Sequence, residues 1–160
     1  MYEFAIDNTA PKHELYREIL KSADALTAGE TDSIANMANV AALLWEYMPD
    51  VNWTGFYRVV DRELVLGPFQ GKTACIRISF GEGVCGTAAA SGETQLVQDV
   101  HAFPGHIACD ANSTSELVVP VKRDGNVVAV IDIDSPTLMR FDADDAAGIE
   151  ALAGILSNRI

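Results

Sequence analysis

The side chains best suited to chemistry lie close together in the sequence, between Gly67 and Pro120. This stretch contains all three cysteines, two of the three histidines and seven of the twelve glycines. Glycine permits tight turns and a close backbone approach to a ligand, so the composition suits a site built around sulfur. Free cysteines are also common as small buried core residues, which is the alternative for each one. The residues concerned are Cys75, Cys85, Cys109, His101 and His106.

Cys109 is the thiol best placed to act as a nucleophile. It lies beside Asp110 and three residues after His106, in a long polar loop. A thiolate that attacks an oxidised substrate becomes a sulfenic acid, and a second thiol then closes a disulfide. Cys75 and Cys85 are the candidates for that second thiol. Zinc held by the cysteines and a histidine is the alternative, but the short cysteine spacings typical of zinc sites are absent from the sequence.

Two aspartates end an apolar strand and share one of its faces. Side chains alternate along a strand, so in NVVAVIDID the side chains of Val128, Asp132 and Asp134 point the same way. A hairpin turn at Asp124-Gly125 places Glu116, at the start of the preceding strand, roughly across from the two aspartates. Three carboxylates would then form an anionic pocket for a metal or an ammonium group. The alternative is that the strand simply ends in solvent.

An aromatic pair completes the set of candidate site residues. Trp53 and Tyr57 are four residues apart in a predicted strand and therefore share a face. Their rings would suit a methyl–sulfur group or a cation. Core packing is the alternative for both side chains.

The elements that must position these residues follow a clear order. Apolar residues at helical spacing predict a helix from Lys12 and a second helix from Thr31 or Asp32 to Pro49, whose buried stripe includes Ile34 and Trp45. Strands are predicted over 51–60, 63–69, 74–80, 93–100 and in a hairpin over 116–135, with a short helix over 83–92 and a last helix capped by Asp142. The order predicts an α+β fold, in which helices pack on one face of a central six-stranded antiparallel sheet.

Length and charge narrow the class of protein. A chain of 160 residues with 49% hydrophobic residues predicts one globular domain over residues 1–160. The net charge of −12 makes nucleic acid and anionic membranes unfavourable partners. The N-terminus lacks the basic start of a secretory signal, which favours the reducing cytoplasm and therefore catalytic or redox-active cysteines.

Five segments resemble one known family. The segments GPFQGKTAC, FGEGVCGTAA, ETQLVQDV, FPGHIACD and SELVVPV closely resemble the free methionine-(R)-sulfoxide reductases, which are single GAF-domain proteins. The resemblance runs from about Val51 to Ser135. FPGHIACD together with GVCGTAA is far more specific than a general GAF pattern.

The resemblance implies roles for particular residues and partners. It implies that Cys109 attacks the sulfoxide sulfur, that Cys75 resolves the sulfenic acid, and that Cys85 has an auxiliary or alternative resolving role. It further implies a homodimer that binds no metal or organic cofactor and is recycled by thioredoxin, with NADPH as the electron source through thioredoxin reductase. The substrate pocket implied by the resemblance is formed by Trp53, Tyr57, Glu116, Asp132 and Asp134.

Two other functions fit parts of the same pattern. A sensory GAF module would bind a nucleotide or another small ligand without turnover, and usually accompanies an effector domain. A thiol redox sensor would use the same disulfide as a signal. Consumption of NADPH through thioredoxin on addition of methionine sulfoxide distinguishes an enzyme from a binding module.

Overall fold

The structure, a computed structural model, describes residues 4–107 and 110–160. The helices in this part of the chain are α1 (Lys12–Thr27), α2 (Ser33–Tyr47), α3 (Gly83–Ser91) and α4 (Ala143–Leu156), with a short 3-10 turn at Val100–Ala102. The strands are β1 (Trp53–Val60), β2 (Glu63–Gly71), β3 (Arg77–Ser79), β4 (Gln95–Val97), β5 (Ser115–Arg123) and β6 (Asn126–Ser135). None of the described helices is long and apolar enough to cross a membrane.

The strands form a six-stranded antiparallel sheet in the order β3-β2-β1-β6-β5-β4. Both predicted hairpins are present, because β1 joins β2 through Asp61-Arg62 and β5 joins β6 through Asp124-Gly125. All four turn residues have positive φ, between 52° and 79°. Two consecutive positive φ values match the right-handed twist of paired strands, which is why Asp-Gly is a strong hairpin signal. The predicted α+β fold with a six-stranded antiparallel sheet is confirmed.

The two faces of the sheet carry different layers. The three long helices α1, α2 and α4 cover one face and form the main apolar core with it, as predicted for the helices. The short helix α3 differs from the prediction that the helices share one face. It lies on the opposite face, where it packs against β5 and β6 because its small residues cover a second, smaller apolar cluster. Helix α3 covers only part of this sheet face. Residues that follow β2 and β4 line a cleft over another part of it.

The predicted helix starts are found where the capping residues lie. The carboxylate of Asp32 accepts a hydrogen bond from the backbone N–H of Ala35 at 2.8 Å. Asp142 accepts from the backbone of Asp144 and Asp145, and Asp145 accepts in return from the backbone N–H of Asp142. This reciprocal pattern satisfies backbone donors that a helix start leaves unpaired.

Two residues predicted in the buried stripe of α2 are exposed. Ile34 is 43% exposed and Trp45 is 42% exposed, so their assignment to the core was wrong. The buried side of the helix is centred on Val40 and Leu44. Trp45 lies about 100° further around the helix from Leu44, because each residue advances the helix by that angle.

Strand lengths and one strand face also differ from the prediction. β3 and β4 have three residues each, where longer segments were predicted. β5 pairs Val121 with Ala129 and the next residue, Lys122, with Val127, so Val128 has no partner in the register. This β-bulge moves Val128 to the side of the main core, whereas Asp132 and Asp134, beyond it, keep the predicted face.

Candidate active site

A cleft lies on the α3 side of the sheet, where β1, β6 and β5 run side by side. The register places Trp53 of β1 opposite Asp134 of β6, and Asp134 opposite Glu116 of β5. The position of Glu116 across from the aspartates therefore follows from the hairpin turn, as expected. The cleft holds about 550 Å³ of empty space, its open mouth included. All five residues of the predicted pocket line it, namely Trp53, Tyr57, Glu116, Asp132 and Asp134.

The floor of the cleft is a group of carboxylates with little compensating positive charge. Glu116 and Asp132 are each only 6% exposed, and Asp134 is half-buried. The Oδ1 atom of Asp132 has no hydrogen-bond partner within residues 4–107 and 110–160. In the same part of the chain, no Lys or Arg forms a salt bridge with any of the three. An ionised carboxylate in such a place is costly unless a ligand supplies a partner.

Burial and mutual repulsion keep these carboxyl groups from ionising readily. Burial raises the pKa of Asp132 to about 6, although hydrogen bonding with Cys85 and Glu116 opposes the rise. Burial, followed by the charge of Asp132, raises the pKa of Glu116 and of Asp134 well above the usual range. The empty cleft therefore favours a partly protonated group of carboxyls, and a bound cation would favour the ionised form.

Cys85 faces the carboxylates from the start of α3. The thiol is 4% exposed, and its Sγ lies 4.0 Å from Oε1 of Glu116. Helix α3 packs tightly against the end of β3 because Gly86 lacks a side chain. A Cβ atom at Gly86 would lie 2.3 Å from the carbonyl oxygen of Ser79, which is too close for any other residue. Burial, then the charges of Asp132 and Glu116, raises the pKa of Cys85 well above its usual value. A thiol in this environment is a poor nucleophile at neutral pH.

Of the other two cysteines, the described part of the chain includes Cys75 alone. Cys75 is half-buried in the irregular segment before β3, not within the strand as predicted, and its carbonyl accepts a hydrogen bond from the hydroxyl of Tyr57 at 3.0 Å. Cys109, predicted as the nucleophile, lies outside the described residues. Ile107 and Asp110, the nearest described residues on either side of it, both line the cleft.

An aromatic wall stands beside the carboxylates. The rings of Trp53 and Tyr57 are stacked with centroids 6.0 Å apart, and Phe69 stacks on the other side of Trp53 at 5.1 Å. Gly55 permits this packing, since a Cβ there would lie 2.4 Å from Cβ of Phe69. Sequence reasoning missed Phe69. The register that pairs Gly55 with Phe69 across the hairpin could have identified it.

A polar network forms the rim of the cleft. Asp110 accepts hydrogen bonds from the backbone N–H of Asn112, from Nζ of Lys72 at 3.2 Å and from the amide of Asn52 at 3.4 Å. These bonds, that of Asn112 first, lower the pKa of Asp110. Asn52 also donates to the hydroxyl of Ser113 at 3.2 Å. Sequence reasoning did not identify Asn52, Lys72 or Ser113 as site residues, although Lys72 lies within the segment GPFQGKTAC.

The two candidate histidines differ in position. His106 is mostly buried at the cleft, and its Nε2 lies 3.7 Å from Oε2 of Glu116. Burial, together with the charge of His101, lowers the pKa of His106, so the imidazole is neutral at pH 7. His101 is exposed and is not part of the cleft lining.

Comparison with known proteins places this fold and cleft in a defined class. The family model described as GAF domain matches residues 35–160. "Protein ZMO0507" of Zymomonas mobilis is 54% identical over 157 residues, which cover 98% of this chain and 97% of that protein. The "Free methionine-R-sulfoxide reductase" of Escherichia coli is 50% identical over 145 residues, which cover 91% of this chain and 88% of that protein.

A solved structure extends the likeness to three dimensions. The X-ray structure of free methionine-R-sulfoxide reductase from Neisseria meningitidis, in complex with its substrate, superposes with a TM-score of 0.95 at 48% identity. The match covers 99% of this chain and 95% of that one. The chain therefore belongs to the GAF-domain family and, within it, to the free methionine-R-sulfoxide reductases.

Proposed function

We propose that this protein reduces free methionine-(R)-sulfoxide to free methionine by thiol chemistry, as a single domain in the cytoplasm. The observation that carries this proposal is the pairing, in one cleft, of three carboxyl groups with a stacked aromatic wall; among the described residues, one buried oxygen of these carboxyls, Oδ1 of Asp132, has no hydrogen-bond partner. A free amino acid with a sulfur-containing side chain has matching chemistry, with a cationic ammonium group and a polarisable methyl–sulfur end.

The carboxylates are suited to the ammonium group. Glu116, Asp132 and Asp134 lie on two neighbouring strands and face the same cleft. Their repulsion when ionised is relieved by a cation, and charge-assisted hydrogen bonds are the strong kind in a closed pocket. Methionine within a peptide chain has no ammonium group to offer. Selection for the free amino acid follows from this difference.

The aromatic wall is suited to the other end of the substrate. Trp53 is 4% exposed and Tyr57 is 1% exposed, so their rings form a dry surface at the cleft. Sulfur and methyl groups make favourable contacts with aromatic rings. The indole N–H of Trp53 is already engaged with the carbonyl of Lys72 at 3.0 Å, which fixes the ring in position. We propose that this surface holds the methyl–sulfur group.

Two thiols carry out the two steps of the proposed reaction. The thiolate of Cys109 attacks the sulfoxide sulfur as the sulfoxide oxygen takes up a proton. The S–O bond of the substrate then breaks as the hydroxyl passes to the cysteine sulfur, so that methionine leaves and Cys109 becomes a sulfenic acid. The thiol of Cys75 then attacks that sulfur, which releases water and forms a disulfide. Cys85 has an auxiliary or alternative resolving role in this scheme, because its buried, high-pKa thiol is a weak nucleophile.

The disulfide must be reduced before another turnover. We propose that a thioredoxin-type dithiol does this by exchange, taking up the disulfide and receiving its electrons from NADPH through thioredoxin reductase. The homodimer implied by the sequence resemblance stays a prediction, which light scattering of the purified protein tests.

A single turnover without reductant tests the proposed function. The reduced wild-type protein should release methionine from free methionine-(R)-sulfoxide in proportion to enzyme. Cys75→Ser should release it too but accumulate sulfenic acid and fail to cycle with thioredoxin, whereas Cys109→Ser should release none. Substantial release by Cys109→Ser would overturn the assignment of the nucleophile. Binding of the sulfoxide without any release by the wild-type protein would instead favour a sensory module.

A further inference from the structure

Three ligand-type side chains meet at the floor of the cleft. One ligand atom each of Cys85, Glu116 and Asp132 lies within 4.8 Å of the other two, and all three residues are buried. These side chains come from three different elements, α3, β5 and β6. Each element is fixed in the fold by its own packing, so the grouping is built into the fold and is not a feature of one flexible segment.

One atom of this group lacks a partner of its own. Oδ1 of Asp132 is buried and accepts no hydrogen bond from any residue that the structure describes. Buried polar atoms are nearly always hydrogen-bonded in native proteins, and exceptions call for a ligand or a functional reason. Lys72, a cation at the mouth of the same cleft, is 64% exposed at its side chain and engaged by Asp110. It therefore leaves the inner group uncompensated.

His106 lies beside this group but outside the 4.8 Å separation that its three members share. Nε2 of His106 is 3.7 Å from the second carboxylate oxygen of Glu116, and the imidazole is only 14% exposed. Ligand atoms around tetrahedral zinc are about 3.3–3.8 Å apart, from bond lengths of about 2.0–2.3 Å. The separation of 4.0 Å between Cys85 and Glu116 is close to that range. The sulfur of Cys85 and the oxygen of Glu116 therefore lie close to the separation that a shared ion requires.

We propose that the reduced protein binds a thiophilic divalent cation of the Zn²⁺ class at Cys85, Glu116 and Asp132, with a water molecule as the fourth ligand. The ion replaces the thiol proton of Cys85, which passes to solvent, so that the sulfur binds as thiolate. No electron transfer is involved. The cation occupies the place of the substrate ammonium group, a consequence that rests on the proposed function.

The donor set determines which cations fit. A thiolate with two carboxylates and a water molecule suits zinc and its spectroscopic substitute Co²⁺. Mg²⁺ and Ca²⁺ prefer oxygen ligands alone and a larger number of them. The site should therefore distinguish Zn²⁺ and Co²⁺ from Mg²⁺, whereas a purely electrostatic attraction to three carboxylates would not.

Cobalt spectroscopy tests the site directly. Fully reduced protein, freed of reductant under anaerobic conditions, is titrated with Co²⁺ and followed for the charge-transfer absorption of a sulfur–cobalt bond. We expect one Co²⁺ per chain with this absorption, displaced by Zn²⁺ and unaffected by Mg²⁺. Cys75→Ser and Cys109→Ser are the matched controls and should retain the absorption, whereas Cys85→Ser should lose it.

A second variant keeps the test informative if Cys85→Ser folds poorly. Asp132→Asn retains the thiol and the size of the side chain, so the absorption should persist with weaker binding. Loss of a metal's outer-shell partner alone costs about 10–100-fold in affinity, and loss of a ligand should cost at least about 100-fold. Absence of Co²⁺ binding, or an absorption retained in Cys85→Ser and lost in Cys109→Ser, overturns the proposal.

Competition with the amino acid tests the consequence for function. Methionine binding is measured by calorimetry on the Cys109→Ser protein, with and without Zn²⁺. We expect Zn²⁺ to weaken methionine binding in proportion to its concentration, and Cys85→Ser/Cys109→Ser to be insensitive. Equal weakening in both proteins overturns the proposed site. Cobalt binding through Cys85 without methionine binding would leave the metal site standing and reject the proposed function instead.

Discussion

Two buried aspartates on opposite sides of the sheet differ in what surrounds them. Asp145, at the start of α4, is fully buried and accepts hydrogen bonds from the hydroxyl of Tyr16 at 2.8 Å and from Nη1 of Arg140 at 3.2 Å. It also contacts Nζ of Lys12 and caps its own helix. Asp132, in the cleft, is nearly as buried but has one oxygen without a partner among the residues that the structure describes.

The difference separates a structural carboxylate from a binding one. The protein itself supplies the cations and donors that Asp145 contacts, so this carboxylate needs no ligand. Asp132 instead shares the cleft with the carboxyl groups of Glu116 and Asp134, and its charge raises the pKa of both. A site that lacks its counter-ion binds a cationic ligand more strongly, at the expense of stability when it is empty.

Removal of Asp145 should have the largest effect on stability. In Asp145→Ala the guanidinium of Arg140, whose side chain is only 9% exposed, loses its carboxylate partner. Breaking a buried ion pair from one side costs about 3–5 kcal/mol. Urea unfolding at pH 7 should show this loss. The control is Asp144→Ala, which removes an exposed acid one residue away and should cost less than about 1 kcal/mol.

Removal of the charge of Asp132 should stabilise the folded protein, whereas removal of Asp145 should destabilise it. We expect Asp132→Asn, without ligand at pH 8, to raise the free energy of unfolding by roughly 1–2 kcal/mol, because an uncompensated buried charge disappears. Asp144→Asn is the matched exposed control and should change little. A clear loss of stability in Asp132→Asn would mean that this carboxylate has a partner in the empty protein, and the contrast with Asp145 would fail.

The pH dependence of stability should show the smallest effect. The folded-state pKa of Asp132 is about 6, raised by burial above its ordinary value of 3.8. The folded protein therefore binds more protons than the unfolded chain, and the contribution of this group to stability is complete below about pH 4. It is lost as the pH rises through about 6. The wild type should thus lose stability relative to Asp132→Asn between about pH 4 and pH 7, by less than about 1 kcal/mol per pH unit.

Asp142 should change stability with pH in the direction opposite to Asp132, and therefore provides an internal control. Its pKa is lowered to about 2, first by its hydrogen bond with Lys12. Stability from this group is present above the ordinary pKa of about 4 and lost as the pH falls through about 2. This window lies below that of Asp132. A relative gain of the wild type with rising pH above 4 would contradict the assignment of the Asp132 shift.

The arrangement of the carboxylates could be predicted because it depends on local rules. Alternation along β6 places Asp132 and Asp134 on one face, and the Asp124-Gly125 turn sets the pairing of Glu116 with Asp134. The bulge at Val121 inserts one residue near the turn and changes only the face of Val128 and the residue before it. The prediction held for the residues beyond the bulge, where the strand pairing is regular.

Contacts between distant elements could not be predicted in the same way. The approach of Cys85 to Glu116 depends on how closely α3 packs on the sheet, which a few residues such as Gly86 decide. The exposure of Trp45 depends on which side of α2 meets the sheet. The apolar stripe of α2 is wider than its contact with the sheet, so the sequence does not show which apolar residues are buried. Asn52 and Ser113 meet across 61 residues of sequence without a motif in either segment.

Comparison of two substrates tests the central claim most directly. The value of kcat/KM is measured for free methionine-(R)-sulfoxide and for its N-acetylated form on one preparation of the enzyme. Acetylation removes the positive charge of the substrate. Loss of one partner of a buried charge pair costs about 3–5 kcal/mol, so kcat/KM should fall by about two to three orders of magnitude. Asp132→Asn should reduce this ratio by lowering only the value for the free amino acid. Equal values for the two substrates in the wild type would contradict the account, and the carboxylates would then be no more than the buried end of two strands.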